Sequence, residues 1–434
     1  MKRGFYTIMA AQFFSSLADN ALFVAAVDLL MTSGAPEWQR AALVPMFALF
    51  YVLLAPFVGA FADAYPKGQV MLVSNSIKVV GCLLMLFGSH PLMAYAVVGL
   101  GAAAYSPAKY GILTELLPPS QLVKANGWIE GLTIASIILG VLLGGQLVGP
   151  AISGVLLGLN LPLVDTPIDT PAEAAISLIV LLYAAAAWFN TCIPRTEAKL
   201  MPMRQDPSRS LAANVLDLLP DFWRCNLRLW RDKLGQISLG TTTLFWGVSG
   251  NLRYIVLAWG AVALGYSTTQ ASALVGVVAI GTAVGAVLAS MRMKLDDATR
   301  VIPLGIAMGL LVVAMNLIHT VWLAVPFLIL LGGLGGFLVV PMNALLQHRG
   351  HNLMGAGRSI AVQNFNEQAC ILALGVIYSL FTKMGLSAYG AITCFGLLVA
   401  AIMWCIGEWY RRNCRKHPQE LERLLDIARH DENH

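Results

Sequence analysis

Twelve long apolar segments constrain this chain more than any other feature of its sequence. Each is about 20 residues long, enough to cross the hydrocarbon core of a bilayer as an α-helix. They cover residues 5–31, 41–62, 70–88, 91–116, 125–149, 173–193, 235–262, 270–291, 301–318, 321–346, 358–382 and 386–409. The strands of a membrane β-barrel are only about 10 residues long and alternate strictly between polar and apolar residues. The sequence therefore predicts an all-α membrane protein with 12 transmembrane helices.

Charge is scarce and unevenly placed. Only 12% of the 434 residues are charged, against about 25% in soluble globular proteins, which excludes a soluble protein. If the N-terminus is inside, 23 of the 28 Lys and Arg residues fall in inner loops and tails. The predicted outer loops hold only Arg40 and Lys383. Because basic residues are retained on the cytoplasmic side, both termini are predicted to be cytoplasmic.

The longest inner loop divides the chain into two halves. The predicted organisation is a six-helix bundle over 1–193, a cytoplasmic loop over 194–233, a second six-helix bundle over 234–410, and a charged cytoplasmic tail over 411–434. Within the loop, apolar residues at helical spacing from Leu211 to Trp230 predict an amphipathic helix at the membrane surface.

The two halves resemble each other. Gly99-Leu100-Gly101 and Pro107 reappear 234 residues later as Gly333-Leu334-Gly335 and Pro341. Parallel repeats of six helices are the plan of the major facilitator superfamily, which this chain resembles, and there substrate binds near the midplane between the halves.

Apart from the two residues at either end, the predicted spans contain seven charged residues. They are Asp19, Asp28, Lys78, Lys109, Glu130, Arg253 and Glu367. Each costs roughly 2.5–3.5 kcal/mol at the centre of a bilayer, so they must face a wet cavity or one another. The alternative to a cavity is that some pairs only hold the bundle together or gate it.

The 234-residue offset selects among these charges. It maps Asp19 onto Arg253 and Lys109 onto Asn343, so we predict that these residues face a central cavity. Asn20, Tyr105, Glu130 and Glu367 complete the predicted substrate-binding set. Asp28 lies near the outer end of its span and Lys78 can snorkel to the surface, so both are left out. We expect Pro107 to break its helix locally, which would accommodate Lys109.

A partial gating motif follows the second span. Gly59, Asp63 and Lys67 in GAFADAYPKG (59–68) resemble the superfamily's cytoplasmic loop Gly-x-x-x-Asp-[Arg/Lys]-x-Gly-[Arg/Lys]. Ala64 replaces the first base of that pattern and Pro66 replaces its second glycine. An acid here can cap the N-terminus of a neighbouring helix and lock one state, so we predict a gate. The alternative is an ordinary basic inner loop.

No motif of an enzyme or cofactor site is present. The sequence lacks a Walker loop, HExxH and GxSxG, and no histidine is followed five residues later by aspartate, as in glycerolipid acyltransferases. His348 and His351 have no Cys or acidic companions that would complete a metal site. We therefore predict no enzymatic activity, no cofactor and no metal.

Seven segments together resemble the bacterial lysophospholipid transporters. They are AQFFSSLADNAL (11–22), APFVGAFADAYPKG (55–68), VGLGAAAYSPAKYGILTEL (98–116), LVKANGWIE (122–130), FWGVSGNLRY (245–254), GGFLVVPMNALLQHRG (335–350) and AVQNFNE (361–367). The resemblance implies a protein of the Gram-negative inner membrane that flips lyso-phosphatidylethanolamine and lyso-phosphatidylglycerol from the outer to the inner leaflet. It also implies a separate acyltransferase on the cytoplasmic side as functional partner.

The predicted site suits such a substrate. Arg253 can hold the lipid phosphate by a bidentate contact, and Asp19 can pair with the ethanolamine ammonium or hold Arg253 when the site is empty. We expect a monomer with no nucleic-acid partner. Two other functions stay open: a proton-coupled exporter of another amphipathic solute or drug, using Asp19 or Glu130, and a membrane enzyme of lipid metabolism.

Overall fold

The regular structure of the chain is helical throughout the part that is described. A computed structural model describes residues 3–35, 37–158, 169–203, 208, 210–266 and 268–430. Its α-helices are α1 (Arg3–Thr32), α2 (Glu37–Leu53), α3 (Ala55–Ala64), α4 (Lys67–Leu86), α5 (Pro91–Leu116), α6 (Pro119–Val148), α7 (Pro150–Leu157), α8 (Pro171–Thr191), α9 (Leu211–Leu216), α10 (Leu218–Arg231), α11 (Gly235–Leu264), α12 (Thr268–Arg292), α13 (Ile302–Ala314), α14 (Val321–Met354), α15 (Ala356–Lys383), α16 (Ala388–Lys416) and α17 (Pro418–His430). Short 3-10 helices at Leu295–Val301 and Met315–Leu317 flank α13. The predicted all-α class is confirmed.

Most of the predicted spans are present as long apolar helices. Among the described residues, nine helices are long and apolar enough to cross a membrane, and two bent pairs raise the number to eleven if each pair is one span. The first pair is α2 with α3, bent by 64° where Pro56 enters the first turn of α3. The second lies within α11, bent by 44° between Leu252 and Ile255. The count of twelve therefore stays a prediction.

The remaining predicted span is α5, which is not among those eleven. It is a helix of 26 residues that continues through Pro107. The expectation that Pro107 breaks this helix is therefore wrong. Proline removes only one backbone donor, and a membrane helix surrounded by neighbouring helices tolerates that loss.

The first compact unit comprises Met1–Leu116, Ala135–Phe222 and Ala356–Val362. In it α8 packs against α1 and α4, and α5 packs against α2 and α4. The approach of α4 to α5 is close: a Cβ atom added at Gly101 would lie 2.7 Å from the Lys78 Cγ and from the Ser74 carbonyl oxygen. Glycine at 101 thus lets α5 lie directly against the buried lysine of α4.

The second compact unit comprises Leu117–Ile134, Trp223–Gly355 and Gln363–His434. In it α12 packs against α14, α13 packs against α16, and α11 contacts α12, α14 and α16. Glycines again permit close packing, because a Cβ at Gly309 of α13 would lie 2.6 Å from the Ala400 backbone nitrogen of α16.

The contact-based units do not coincide with the predicted halves in two places. The first part of α6, up to Ile134, clusters with the second unit, and Ala356–Val362 of α15 cluster with the first. The predicted boundaries at 193 and 234 stay a prediction. The predicted amphipathic segment forms α9 and α10, whereas α17 in the charged tail was not predicted.

Candidate functional site

An ion pair and a hydrogen bond at the same carboxylate link three helices of the first unit. The Lys78 ammonium of α4 lies 2.9 Å from the Asp19 carboxylate of α1, and Lys78 is 1% exposed. The Tyr183 hydroxyl of α8 donates a hydrogen bond of 2.5 Å to the other Asp19 oxygen. Lys78 also donates to the Ser15 hydroxyl at 2.9 Å. Both oxygens of Asp19 are therefore held by groups from other helices.

Two aromatic rings complete this Asp19 cluster, which consists of Ser15, Asp19, Lys78, Tyr105 and Tyr183. The Lys78 ammonium lies 4.9 Å from the centroid of the Tyr105 ring and 5.5 Å from that of Tyr183. Such placement over a ring face attracts a cation through the ring quadrupole. The structure thus brings together two predicted site residues, Asp19 and Tyr105.

Lys78 is the component that the sequence analysis left out. The expectation that it snorkels to the surface is wrong, because the carboxylate and the two rings stabilise its ammonium in the interior. The signal was present in the sequence, since a lysine inside a span needs an acidic partner.

The Asp19 cluster can exchange partners with a charged ligand. The Asp19 side chain is 20% exposed, whereas that of Lys78 is 1% exposed. A ligand cation could therefore approach Asp19, and a ligand anion could replace Asp19 as the partner of Lys78. A ligand that carries both charges and makes both exchanges together would keep both protein charges paired, which matters because a lone buried charge is costly.

Two further predicted residues of the first unit are Asn20 and Lys109. The Asn20 amide donates to the Ser16 carbonyl of its own helix at 2.7 Å. Asn20 also faces α6, because a Cβ at Gly140 would lie 2.7 Å from the Asn20 Cβ. Lys109 is buried, and its ammonium lies 4.5 Å from the centre of the Tyr110 ring. Their role in binding stays a prediction.

Asp63 caps the N-terminus of α15. Its carboxylate accepts hydrogen bonds from the backbone N–H groups of Gly357 at 2.7 Å and Arg358 at 2.9 Å. These are the second and third residues of α15, whose N–H groups have no partner within the helix. The negative charge also lies at the positive end of the helix dipole. Asp63 therefore caps a neighbouring helix, and its role in gating stays a prediction.

Close packing makes this cap possible. A Cβ at Gly59 of α3 would lie 2.8 Å from the Ala361 Cβ and 3.0 Å from the Arg358 Cα. Glycine at 59 therefore allows α3 to contact the first turns of α15. The sequence predicted both Gly59 and Asp63, but it did not identify α15 as the capped helix.

Basic residues surround the capping carboxylate. The Lys67 ammonium lies 3.2 Å from Asp63 and 3.1 Å from Glu115, and it also donates to the Ala62 carbonyl at 2.6 Å. Arg358 pairs with Asp63 at 3.4 Å and with Asp221 of α10 at 3.2 Å. Glu115, Asp221 and Arg358 were not among the predicted residues, because their partners here lie far from them in the sequence.

Several polar residues of the second unit are joined by hydrogen bonds within that unit. The Gln363 amide donates to Asn343 at 2.9 Å and to Glu367 at 2.7 Å, so it joins two predicted site residues. Glu130 is also buried, with 3% exposure. Asn126 and Gln347 exchange two hydrogen bonds of 2.9 and 3.0 Å. Gln363 lies in the polar QNFNEQ stretch but was not among the predicted residues.

Arg253 belongs to α11 at the bend between Leu252 and Ile255. Its side chain lies outside the described residues. The predicted correspondence of Arg253 with Asp19 therefore stays a prediction.

Comparison with known proteins agrees with this architecture. The profile of the Major Facilitator Superfamily matches residues 8–366. The human organic anion transporter MFSD10 is similar in structure, with a TM-score of 0.68 and 16% identity, covering 94% of this chain and 100% of its own. A bacterial homologue of the iron transporter ferroportin is similar with a TM-score of 0.64 and 16% identity, at 94% and 100% coverage. At this identity both structures show the fold alone.

Two relatives are much more similar in sequence. The lysophospholipid transporter LplT of Yersinia enterocolitica is 39% identical over 386 residues, which is 89% of each chain. LplT of Yersinia pestis is 39% identical over the same length, covering 89% of this chain and 88% of its own. This chain is therefore a multi-pass membrane protein that belongs to the lysophospholipid transporters of the major facilitator superfamily.

Proposed function

We propose that this protein moves lysophospholipids, chiefly lyso-phosphatidylethanolamine and lyso-phosphatidylglycerol, from the outer to the inner leaflet of a bacterial inner membrane. The observation that carries the proposal is its membership of the lysophospholipid transporters, over nearly the whole chain. The Asp19 cluster supplies chemistry that suits such a ligand.

A lysophospholipid carries a phosphate, a polar head and one acyl chain. In the Asp19 cluster the Lys78 ammonium offers a positive charge for the phosphate, and the Asp19 carboxylate offers a negative charge for an ethanolamine ammonium. We assign substrate binding to Asp19, with Arg253 as a second phosphate ligand. The remaining proposed substrate-binding residues are Asn20, Tyr105, Lys109, Glu130, Asn343 and Glu367.

The proposed gate consists of Gly59, Asp63 and Lys67. The Asp63 cap supports this assignment because it depends on a few hydrogen bonds between two elements that are far apart in sequence. Breaking the cap would free the first turn of α15 without disturbing the core of either helix.

The proposed topology has twelve spans with both termini in the cytoplasm. The 26 residues of α5 support the count, since a helix of that length extends about 39 Å. We propose a monomer without catalytic activity or cofactor, which delivers its substrate to a separate acyltransferase on the cytoplasmic side.

Transport by the purified protein tests the proposal. Proteoliposomes would receive labelled lyso-phosphatidylethanolamine in the outer leaflet, and its appearance in the inner leaflet would be followed by resistance to extraction with albumin. We expect protein-dependent movement of the lysolipid. If the lysolipid does not move and a water-soluble cation is taken up under a pH gradient, the protein is instead a proton-coupled exporter.

A further inference from the structure

Helix α10 presents three different faces around its axis. Successive residues are separated by about 100°, so residues three or four apart share a face. Cys225, Asn226 and Leu229 are buried and form the face that packs against the protein. A second face, about 100° away, holds Trp223 and Leu227, which are 55% and 48% exposed. An apolar face that remains exposed after the protein-facing side is buried needs another apolar environment.

The third face of α10 is basic. It holds Arg224, Arg228 and Arg231, each exposed and about 100° beyond the apolar face. Arg228 also donates to the Leu353 carbonyl at 2.8 Å, which orients its guanidinium. Around the axis of α10, the face that packs against the protein is followed by an apolar face and then by a basic face. This order is typical of a helix that lies at the boundary between acyl chains and headgroups.

Aromatic residues on neighbouring helices extend the apolar face. The Trp223 ring packs edge-on against Phe365 of α15, with centroids 5.6 Å apart. Trp230 stacks on Trp409 of α16 at 6.4 Å, with ring planes 4° apart, and donates from its indole nitrogen to Asn366 at 3.2 Å. Tryptophans with an apolar body and a bonded N–H are typical of the membrane interface.

Helix α16 becomes basic just beyond this aromatic contact. After Trp409 its exposed residues include Arg411, Arg412, Arg415 and Lys416. The Asn413 amide donates to the Lys233 carbonyl at 3.3 Å, which fixes this end of α16 beside the chain that leaves α10. Helices α10 and α16 therefore both carry basic residues next to their aromatic contact.

We propose that Trp223, Arg224, Leu227, Arg228 and Arg231 form an interfacial surface that binds anionic diacyl phospholipids of the leaflet beside it, the cytoplasmic leaflet in the proposed topology. Trp223 and Leu227 lie among the acyl chains, and the three arginines contact the phosphates. An anionic phospholipid fits this surface because the basic face lies directly beside the apolar face. An anionic leaflet has the same order, with phosphate directly outside its apolar layer. The inference does not depend on which substrate the protein transports.

Lipid binding to the full-length protein in detergent tests this surface. Native mass spectrometry would compare retention of phosphatidylglycerol and phosphatidylcholine by the wild type and by the triple variant Arg224→Gln, Arg228→Gln, Arg231→Gln. We expect the wild type to prefer phosphatidylglycerol, and the variant to bind it roughly tenfold or more weakly. The matched control removes three other exposed charges of the second unit, with Arg292→Gln, Lys294→Gln and Arg300→Gln, and should bind as the wild type does.

A second measurement tests the proposal even if the triple variant fails to fold. Phosphatidylglycerol brominated on its acyl chains should quench part of the tryptophan emission of the wild type, and Trp223→Phe should remove that part. Equal phosphatidylglycerol retention by the wild type and the triple variant, or quenching that is unchanged in Trp223→Phe, would overturn the proposal. Displacement of bound phosphatidylglycerol by an equal concentration of lysophospholipid would also overturn it, and would assign the surface to the substrate. Loss of a co-purifying protein without loss of lipid would assign it to a protein partner.

Discussion

Replacing Asp63 by alanine should expose the first turn of α15 to solvent exchange. The wild-type carboxylate accepts hydrogen bonds from the Gly357 and Arg358 N–H groups at 2.7 and 2.9 Å, and Asp63 is only 6% exposed. Hydrogen bonds to a charged group contribute about 1.5–3 kcal/mol each, so losing both should cost roughly 3 kcal/mol or more. Since 1.4 kcal/mol is a factor of ten, opening of this turn should become about 100-fold more frequent.

Hydrogen–deuterium exchange resolved by mass spectrometry measures this opening. Peptides that cover Gly355 to Val362 should exchange about 100-fold faster in Asp63→Ala than in the wild type. Asp221→Asn is the matched control, because it removes a contact of 3.2 Å with the Arg358 side chain and leaves the Asp63 cap intact. Wild-type exchange of these peptides in Asp63→Ala would refute the capping role, as would equal acceleration in both variants.

Three other substitutions test neighbouring parts of the structure. Gly59→Val should accelerate exchange of the same α15 peptides although Asp63 is intact, because its Cβ would lie 2.8 Å from the Ala361 Cβ; unchanged exchange would show that α3 can move aside. Lys78→Met should lower the thermal unfolding midpoint in detergent, since leaving Asp19 without its counter-charge costs about 3 kcal/mol, and adding Asp19→Asn should restore most of the loss. A double variant as unstable as Lys78→Met would show that packing, not charge, is responsible. Arg349→Met should also destabilise the protein by about 3 kcal/mol, because it removes a two-bond contact at 2.7 and 3.1 Å with Asp232, whose side chain is 9% exposed. The check is a thermal midpoint below that of Arg300→Met, which replaces an exposed arginine.

The spans were predictable from sequence, and so was the need of Asp19 for a polar or charged partner. Both depend on the cost of placing residues in hydrocarbon. That cost is set by residue type and segment length, which the sequence states directly. The partner of Asp19 was not predictable in the same way. The repeat offset pointed to Arg253, whereas the observed contact with Lys78 arises from the packing of α4 against α5 and α8, to which glycine at 101 contributes.

The Asp63 cap was likewise predictable only in part. The local pattern of Gly59 and Asp63 was sufficient to predict a capping acid, but the capped amides lie 294 and 295 residues away. Nothing local in the sequence specifies such a contact. In the charged tail, α17 was missed because its abundant charges were interpreted as a tail rather than as the polar face of a helix, although Leu421 and Ala428 are buried.

Headgroup dependence of transport tests the Asp19 cluster as part of the lysophospholipid site most directly. Proteoliposomes containing the wild type or Asp19→Asn would be assayed with labelled lyso-phosphatidylethanolamine and lyso-phosphatidylglycerol in parallel. Only the ethanolamine head carries an ammonium for Asp19 to bind. Asp19→Asn should therefore lower the transport rate of lyso-phosphatidylethanolamine about tenfold, and the rate for lyso-phosphatidylglycerol should fall less. Wild-type rates for both lipids, in a variant with an unchanged thermal midpoint, would contradict the assignment.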